Sequence, residues 1–341
     1  MEDFLSADTF TLQWHITQAC DLHCRHCYDR SQRPPLPFDM AMAVVDDLYR
    51  FCQEMHVAGQ ISFTGGNPLL YPRFMDIYKA AVDRGFGTAI LGNPTSEEQL
   101  DKLLGIAKPN YFQISLEGLE THNDHIRGSG HFQRSLAFLD LLRSRGIYTM
   151  VMLTLSNANI HHVLPLTEML RNRIDYFTFN RLATVGEGAK LEMAKPDDFQ
   201  QFLRQYLAAA RHNPVLGLYD YLINSILYEY DAVYFGGCTG YGCGAAFNFI
   251  ALLADGEVHA CSNFPSLIGN IGQTRLMDIY HSETARQYRA GSQKCSDCRL
   301  NMVCRGCPAV TYSDGLNVFK EIDPYCFMQP EHKCTGDMVK E

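Results

Sequence analysis

Tyr148-Thr149-Met150-Val151-Met152-Leu153-Thr154-Leu155 is a run with almost no strongly polar residue. A strand with one wet face alternates in polarity. A strand covered on both faces, as in a parallel sheet, reads as a continuous apolar run. Outward from this run the same unit recurs. Phe10–Ile16, Gln60–Phe63, Phe86–Leu91 and Tyr111–Leu116 read as strands before it, and Tyr176–Asn180 as one after it. Helical segments separate them, over Phe38–Met55, Phe74–Arg84, Glu97–Ile106, Phe132–Arg145 and His161–Arg171. In the first of these Val44, Val45, Leu48, Phe51, Cys52 and Met55 fall on one helical stripe. Six β/α units in a row imply a parallel sheet with helices outside. Six fall short of the eight that close a full TIM barrel, which leaves an open partial barrel or a doubly wound sheet. Both place chemistry at the C-terminal ends of the strands.

Residues 194–232 read as helical, with Phe199, Phe202, Leu203, Tyr206 and Leu207 on one face and a second helix over Tyr219–Tyr230. They bridge to a cysteine-rich end. Of thirteen cysteines, none lies in residues 53–237 and nine lie in residues 238–334, the clearest domain signal in the chain. The net charge of −9 and the lack of a basic tract argue against a nucleic-acid partner. The acidic N-terminus is not a secretory signal, and no window is long and apolar enough for a membrane helix. The expected location is therefore cytoplasmic, with the cysteines reduced and available for metal or redox use.

The first strand runs into Cys20-Asp21-Leu22-His23-Cys24-Arg25-His26-Cys27. Three thiolates on one tight loop can hold three corners of a 4Fe–4S cluster and leave the fourth iron open, whereas most such clusters take four cysteines. Zinc with a distant fourth ligand, or free thiols, are the alternatives that spacing alone allows. The loop resembles that of radical S-adenosylmethionine (SAM) enzymes. That resemblance implies that SAM binds the open iron through its amino and carboxylate groups and is cleaved reductively to a 5′-deoxyadenosyl radical. On it, Cys20, Cys24 and Cys27 carry the catalytic cluster. His26 stands where many family members place an aromatic residue beside the adenine.

Later motifs extend the resemblance. Gly65-Gly66-Asn67-Pro68 follows the second strand, where the family usually has Gly-Gly-Glu-Pro, whose backbone meets the SAM amino group. That role would fall on Gly65, Gly66 and Asn67. Asn for Glu removes a charge but keeps hydrogen-bonding capacity, so restoring Glu at position 67 is expected to keep SAM cleavage. Asn93, in Gly92-Asn93-Pro94 after the third strand, matches an Asn often found near SAM. Ser115-Leu116-Glu117-Gly118 and the stretch from His122 through Arg127 to Phe132 resemble segments of the peptide-modifying members. Ser115 and Arg127 would then contact the SAM ribose or carboxylate, a bidentate arginine suiting a carboxylate.

At the far end, Phe247–Leu253 reads as a strand and Asp255-Gly256 as a hairpin turn leading to Cys261. Cys295, Cys298, Cys304 and Cys307 follow at gaps of two, five and two residues, then Cys326. This resembles the SPASM extension of radical SAM enzymes, although the family usually has three residues, not two, before the last cysteine of the run. The resemblance implies one auxiliary 4Fe–4S cluster on Cys238, Cys243, Cys261 and Cys307 and another on Cys295, Cys298, Cys304 and Cys326. Zinc is the competing reading of paired cysteines, but five residues between the pairs is short for a zinc finger. Cys52 reads as core and Cys334 as incidental.

The expected fold is thus α/β: a partial (β/α)6 TIM barrel over residues 1–193, a helical bridge over 194–235 and a SPASM domain over 236–341, folding apart from the barrel. Three 4Fe–4S clusters and SAM are the implied cofactors. The implied reaction is radical modification of a ribosomally made peptide, and the closest likeness is to selenobiotic-family peptide maturases. An electron donor such as flavodoxin or ferredoxin is implied. About nine residues precede the first strand, so leader binding would fall to a separate protein or to the SPASM surface. Sulfatase-maturing relatives have an Asp after the cysteine matched by Cys261; Ser262 stands there, which argues against that chemistry. The alternatives are a porphyrin-modifying enzyme of haem synthesis and a non-catalytic iron–sulfur or zinc scaffold. Tyr241, Ser262 and Tyr312 are candidates for quenching the substrate radical.

Overall fold

The computed structural model describes residues 7–236 and 242–328. Cys238, Tyr241 and Cys334 lie outside the described residues. Six parallel strands follow in chain order: β1 (Thr9–Thr17), β2 (Ala58–Gly65), β3 (Gly87–Leu91), β4 (Tyr111–Ser115), β5 (Thr149–Leu155) and β6 (Tyr176–Arg181). Helices α1 (Phe38–Met55), α2 (Phe74–Asp83), α3 (Glu97–Leu104), α4 (Glu120–Arg127), α5 (His131–Ser144) and α6 (Val163–Leu170) connect them. Val44, Val45, Leu48, Phe51 and Cys52 of α1 are buried, so the predicted stripe faces the sheet. The fold is an α/β partial barrel of parallel strands followed by a cysteine-rich region.

Two features depart from expectation. First, β5 is not covered on both faces. Its residues alternate between buried and half-buried, because Val151, Leu153 and Leu155 meet the helix layer while Met150, Met152 and Thr154 line an internal cavity. Methionine stands on the cavity face, so sequence alone could not tell an apolar lining from a packed layer. Second, the C-terminal region does not fold apart from the barrel. Strands β7 (Phe249–Leu252), β8 (Glu257–His259) and β9 (Leu267–Asn270) extend one nine-stranded sheet, in the order β6-β5-β4-β3-β2-β1-β7-β8-β9. β7 lies parallel to β1, Thr11 opposite Phe249 and Trp14 opposite Leu252. The β7–β8 pair is the predicted hairpin, with Gly256 at φ +92° in its turn.

The other sheet edge is also covered. After helix α7 (Pro196–Ala210) the chain returns to β6, where Phe177 N–H donates to Val215 at 2.6 Å and Gly217 N–H donates to Phe177 at 2.8 Å. This contact occupies backbone groups that an edge strand would otherwise expose. Helix α8 (Ile223–Glu229) is shorter than the predicted Tyr219–Tyr230. One apolar core spans barrel and C-terminal region: the Phe10 and Phe51 rings are 4.5 Å apart, and Phe51 lies 5.3 Å from Tyr280. Among the described residues no helix is long and apolar enough to cross a membrane.

Candidate active site

β1 ends at Thr17 and the cysteine loop begins three residues later. Its path is set by the adjacent end of β2. Gly66 N–H donates to Thr17 at 2.8 Å and Asn67 N–H donates to Ala19 at 2.7 Å. A Cβ on Gly65 would stand 2.2 Å from the Thr17 carbonyl oxygen, and one on Gly66 would stand 2.2 Å from that of Ala19. Gly65 also has φ +129°. The glycine pair therefore lets two strand exits touch. With both N–H groups engaged, an ammonium group arriving here would meet carbonyl oxygens, which accept.

Cys20, Cys24 and Cys27 are half-buried free thiols beside a cavity of about 1240 Å³. Two of their sulfurs face donors: Asn93 Nδ2 is 3.6 Å from the Cys20 sulfur and Arg127 Nη1 is 3.8 Å from that of Cys24. Burial pushes both of these thiols up, and Asn93 and Arg127 oppose the shift. Half-buried sulfurs with donors aimed at them fit ligands that become anionic on binding metal. Among the described residues no three His, Cys, Asp or Glu side chains converge on a single ion. A cubane makes no such demand, since each thiolate meets its own iron.

Arg127, the last residue of α4, lines the cavity, as does Ser115 at the end of β4. The expected arginine fork already holds a carboxylate. Its Nε and Nη2 donate to Glu117 Oε1 at 2.9 and 2.6 Å. His26 Nε2 lies 2.9 Å from the same oxygen, and Thr154 N–H donates to Oε2 at 2.9 Å. Glu117 is 1 % exposed. Burial alone would raise its pKa, but His26 and Arg127 outweigh burial and hold the carboxyl far below the usual range. His26 Nδ1 is buried with no partner among the described residues. The α4 helix, the Glu117 network and the role of Asp21 were not apparent from the sequence. Asp21 takes the side-chain amides of Asn67 and Asn93 at 3.0 and 2.7 Å, so both asparagines sit against the cysteine loop.

The cavity reaches the C-terminal region. Cys243, Cys261 and Cys307 line it, together with Ser262. These three cysteines are the described members of the first proposed ligand set. Cys295, Cys298, Cys304 and Cys326, the second set, do not line it. Of the eight predicted auxiliary positions, all but Cys238 are among the described residues and are half-buried, whereas Cys52 is buried in the core. Tyr312 is exposed and packs on Phe264 at 5.6 Å.

A buried charge cluster ties this region to the barrel. Arg181 at the end of β6 donates through Nε to Asp220 at 2.8 Å. Its Nη1 and Nη2 donate to Asp323 at 3.0 and 2.7 Å. Asp323 also accepts from the backbone N–H groups of Cys307 and Tyr325, both at 2.9 Å. One carboxylate thus fixes backbone beside Cys307 and Cys326. Deeper in the barrel the lining is uncharged, with Gln13, Gln60, Ser62, Gln113 and Asn180 beside Met150 and Met152.

Comparison with known proteins accords with this layout. A model of the radical SAM superfamily matches residues 14–170, and one of the SPASM iron–sulfur cluster-binding domain matches residues 243–308. An AdoMet-dependent heme synthase of Methanosarcina barkeri is 25 % identical, over 94 % of this chain and 97 % of that protein. The subtilosin biosynthesis protein AlbA of Bacillus subtilis is 24 % identical, over 89 % and 67 %. Streptococcus suis SuiB, solved with S-adenosylmethionine, superposes with a TM-score of 0.72 at 18 % identity, over 94 % of this chain and 78 % of that one. The cysteine loop at the exit of β1 falls within the first matched segment and the run from Cys243 to Cys307 within the second, and the chain is a radical SAM enzyme with a C-terminal SPASM domain.

Proposed function

We propose that this chain modifies a ribosomally made peptide. In this reading Cys20, Cys24 and Cys27 hold the catalytic 4Fe–4S cluster. The carbonyl oxygens of Gly65, Gly66 and Asn67 receive the SAM amino group, and Asn93, Ser115 and Arg127 bound the remainder of the SAM site. The bound cluster and SAM supply a 5′-deoxyadenosyl radical when an electron arrives from a donor such as flavodoxin or ferredoxin. Cys238, Cys243, Cys261 and Cys307 hold one auxiliary cluster at the cavity wall, and Cys295, Cys298, Cys304 and Cys326 hold another beyond it. The reaction takes place in the cytoplasm.

The charge state of the cavity supports a peptide over a porphyrin. A porphyrin with acidic side chains needs cations to pair with them. Four arginines line the cavity. Arg33 is held by Asp255 and Glu257, Arg127 by Glu117, and Arg181 by Asp220 and Asp323. Arg30, exposed, donates to the Cys24 carbonyl at 2.7 Å. The uncharged lining of Gln, Ser, Tyr, Asn and Met suits a peptide segment, whose backbone needs both donors and acceptors and whose side chains include apolar ones. SuiB has been solved bound to its precursor peptide SuiA. The near full-length match to a heme synthase favours the porphyrin reading, so both substrates belong in the test.

Reconstituted enzyme is incubated anaerobically with SAM and a reductant. One sample receives the peptide encoded by a small reading frame beside the gene, and another receives iron–coproporphyrin III. We expect 5′-deoxyadenosine formation to rise with the peptide, which changes mass, and not with the porphyrin. A change in the mass of the porphyrin with an unmodified peptide would replace this reading with the other.

A further inference from the structure

We propose that Asp21 is a positioning residue of the SAM site, and that Asn67 is the partner its carboxylate requires rather than a neutral variation of the motif. The inference rests on the reading of this site as the SAM site. Asp21 directly follows Cys20 in the cysteine loop. Its Oδ1 accepts from Asn67 Nδ2 at 3.0 Å and from Asn93 Nδ2 at 2.7 Å. The two amides come from different strand exits, Asn67 after β2 and Asn93 after β3. They are 4 % and 7 % exposed. Two buried amides on one oxygen join the loop to both exits.

The orientation of each amide is fixed by its other contact. Asn67 Oδ1 accepts from the Leu69 N–H at 3.3 Å, so its NH₂ group faces Asp21. Asn93 Nδ2 also points at the Cys20 sulfur, 3.6 Å away. The Asp21 carboxylate thereby sets the relation of a cluster-ligand candidate to the carbonyl groups of Gly65, Gly66 and Asn67. A Glu at position 67 would offer no donor to Asp21. It would also bring a second carboxylate, from the buried position 67, against the exposed Asp21 carboxylate, and like charges repel. The expectation that Glu restores an ordinary site is therefore reversed for this chain. Exchanging the two roles, with Asp21→Asn and Asn67→Glu together, keeps one carboxylate facing one amide. In that double variant Asn93 can still donate, now to the amide oxygen at position 21.

The test uses the full chain, reconstituted anaerobically. Iron per chain is measured, and the EPR spectrum of the reduced enzyme is followed as SAM is added. The KM for SAM and the kcat for 5′-deoxyadenosine formation are determined separately. Residues in contact couple strongly enough for a double-variant cycle to resolve. We expect Asn67→Glu to keep its iron but to need about tenfold more SAM or beyond, mainly through KM. The double variant should return to within about threefold of wild type. A wild-type titration by Asn67→Glu, or a double variant no better than Asn67→Glu alone, would overturn the proposal. Should Asn67→Glu fail to load iron, the double variant must regain it, and failure there also overturns the proposal. If SAM leaves the wild-type spectrum unchanged, the reading of the site as a SAM site falls, and this inference with it.

Discussion

Arg127 and Glu117 form a buried ion pair at the cavity wall, with Nη2 2.6 Å from Oε1, and the third nitrogen of the same guanidinium faces the Cys24 sulfur. The arginine thus carries the position of a carboxylate to a cluster-ligand candidate. Removing one partner of such a pair leaves an uncompensated buried charge, which costs about 3–5 kcal/mol. Glu117→Gln should lower the melting temperature of the protein markedly. Arg127→Lys keeps the charge but loses the fork, so it should be milder in stability and still weaken the SAM response of the EPR spectrum. Equal stability of Glu117→Gln and wild type would show that the pair does not organise the wall.

Asp323 makes a second prediction. Its carboxylate holds Arg181 and the backbone of Cys307 and Tyr325. Asp323→Ala should release the Cys307 loop and leave Arg181 with Asp220 alone. We expect the variant to bind about four fewer irons per chain, the content of one cubane, while its first cluster still supports SAM cleavage without substrate. Iron content equal to wild type in soluble Asp323→Ala would remove this carboxylate from cluster assembly.

Barrel and C-terminal region share one sheet and one core, which bears on the auxiliary clusters. Cys295→Ala with Cys298→Ala should abolish one auxiliary cluster, yet the β1–β7 pairing contains neither residue. Soluble variant protein should therefore keep substrate-free 5′-deoxyadenosine formation and lose peptide modification. Wild-type peptide turnover in this variant would leave that cluster a structural part only.

Acid stability follows from the buried histidines. Burial lowers the pKa of His15 and of His131 to about 4, against 6.5 in an unfolded chain. The unfolded state then binds the extra protons, so stability is full above about pH 6.5 and falls as pH drops toward 4. Melting temperature should decline across that window. His131→Gln, which can keep a contact with Asn123 now made at 3.1 Å, should flatten the decline, and an unchanged slope would contradict the assignment.

The repeating β/α pattern and the cysteine spacings were legible because each is local: the α1 stripe and the three-cysteine loop lie within single segments. Pairings between distant segments were not. Nothing in Phe249–Leu252 marks β1 as its neighbour, and Arg181 and Asp323 stand 142 residues apart. Likewise Asp21 is an ordinary loop acid until the exits of β2 and β3 bring Asn67 and Asn93 to it. Gly65 and Gly66 were legible as a close approach, but the surface approached is the backbone of Thr17 and Ala19.

The central claim is that the three-cysteine loop holds a cluster that cleaves SAM. Iron content and 5′-deoxyadenosine formation should be measured in anaerobically reconstituted wild type and in the triple variant Cys20→Ala, Cys24→Ala, Cys27→Ala. We predict about twelve irons per chain in wild type and about eight in the variant, as three cubanes and two would contain, with SAM cleavage lost entirely in the variant. Stoichiometric zinc without iron in the wild type, or SAM cleavage surviving in the variant, would contradict the account.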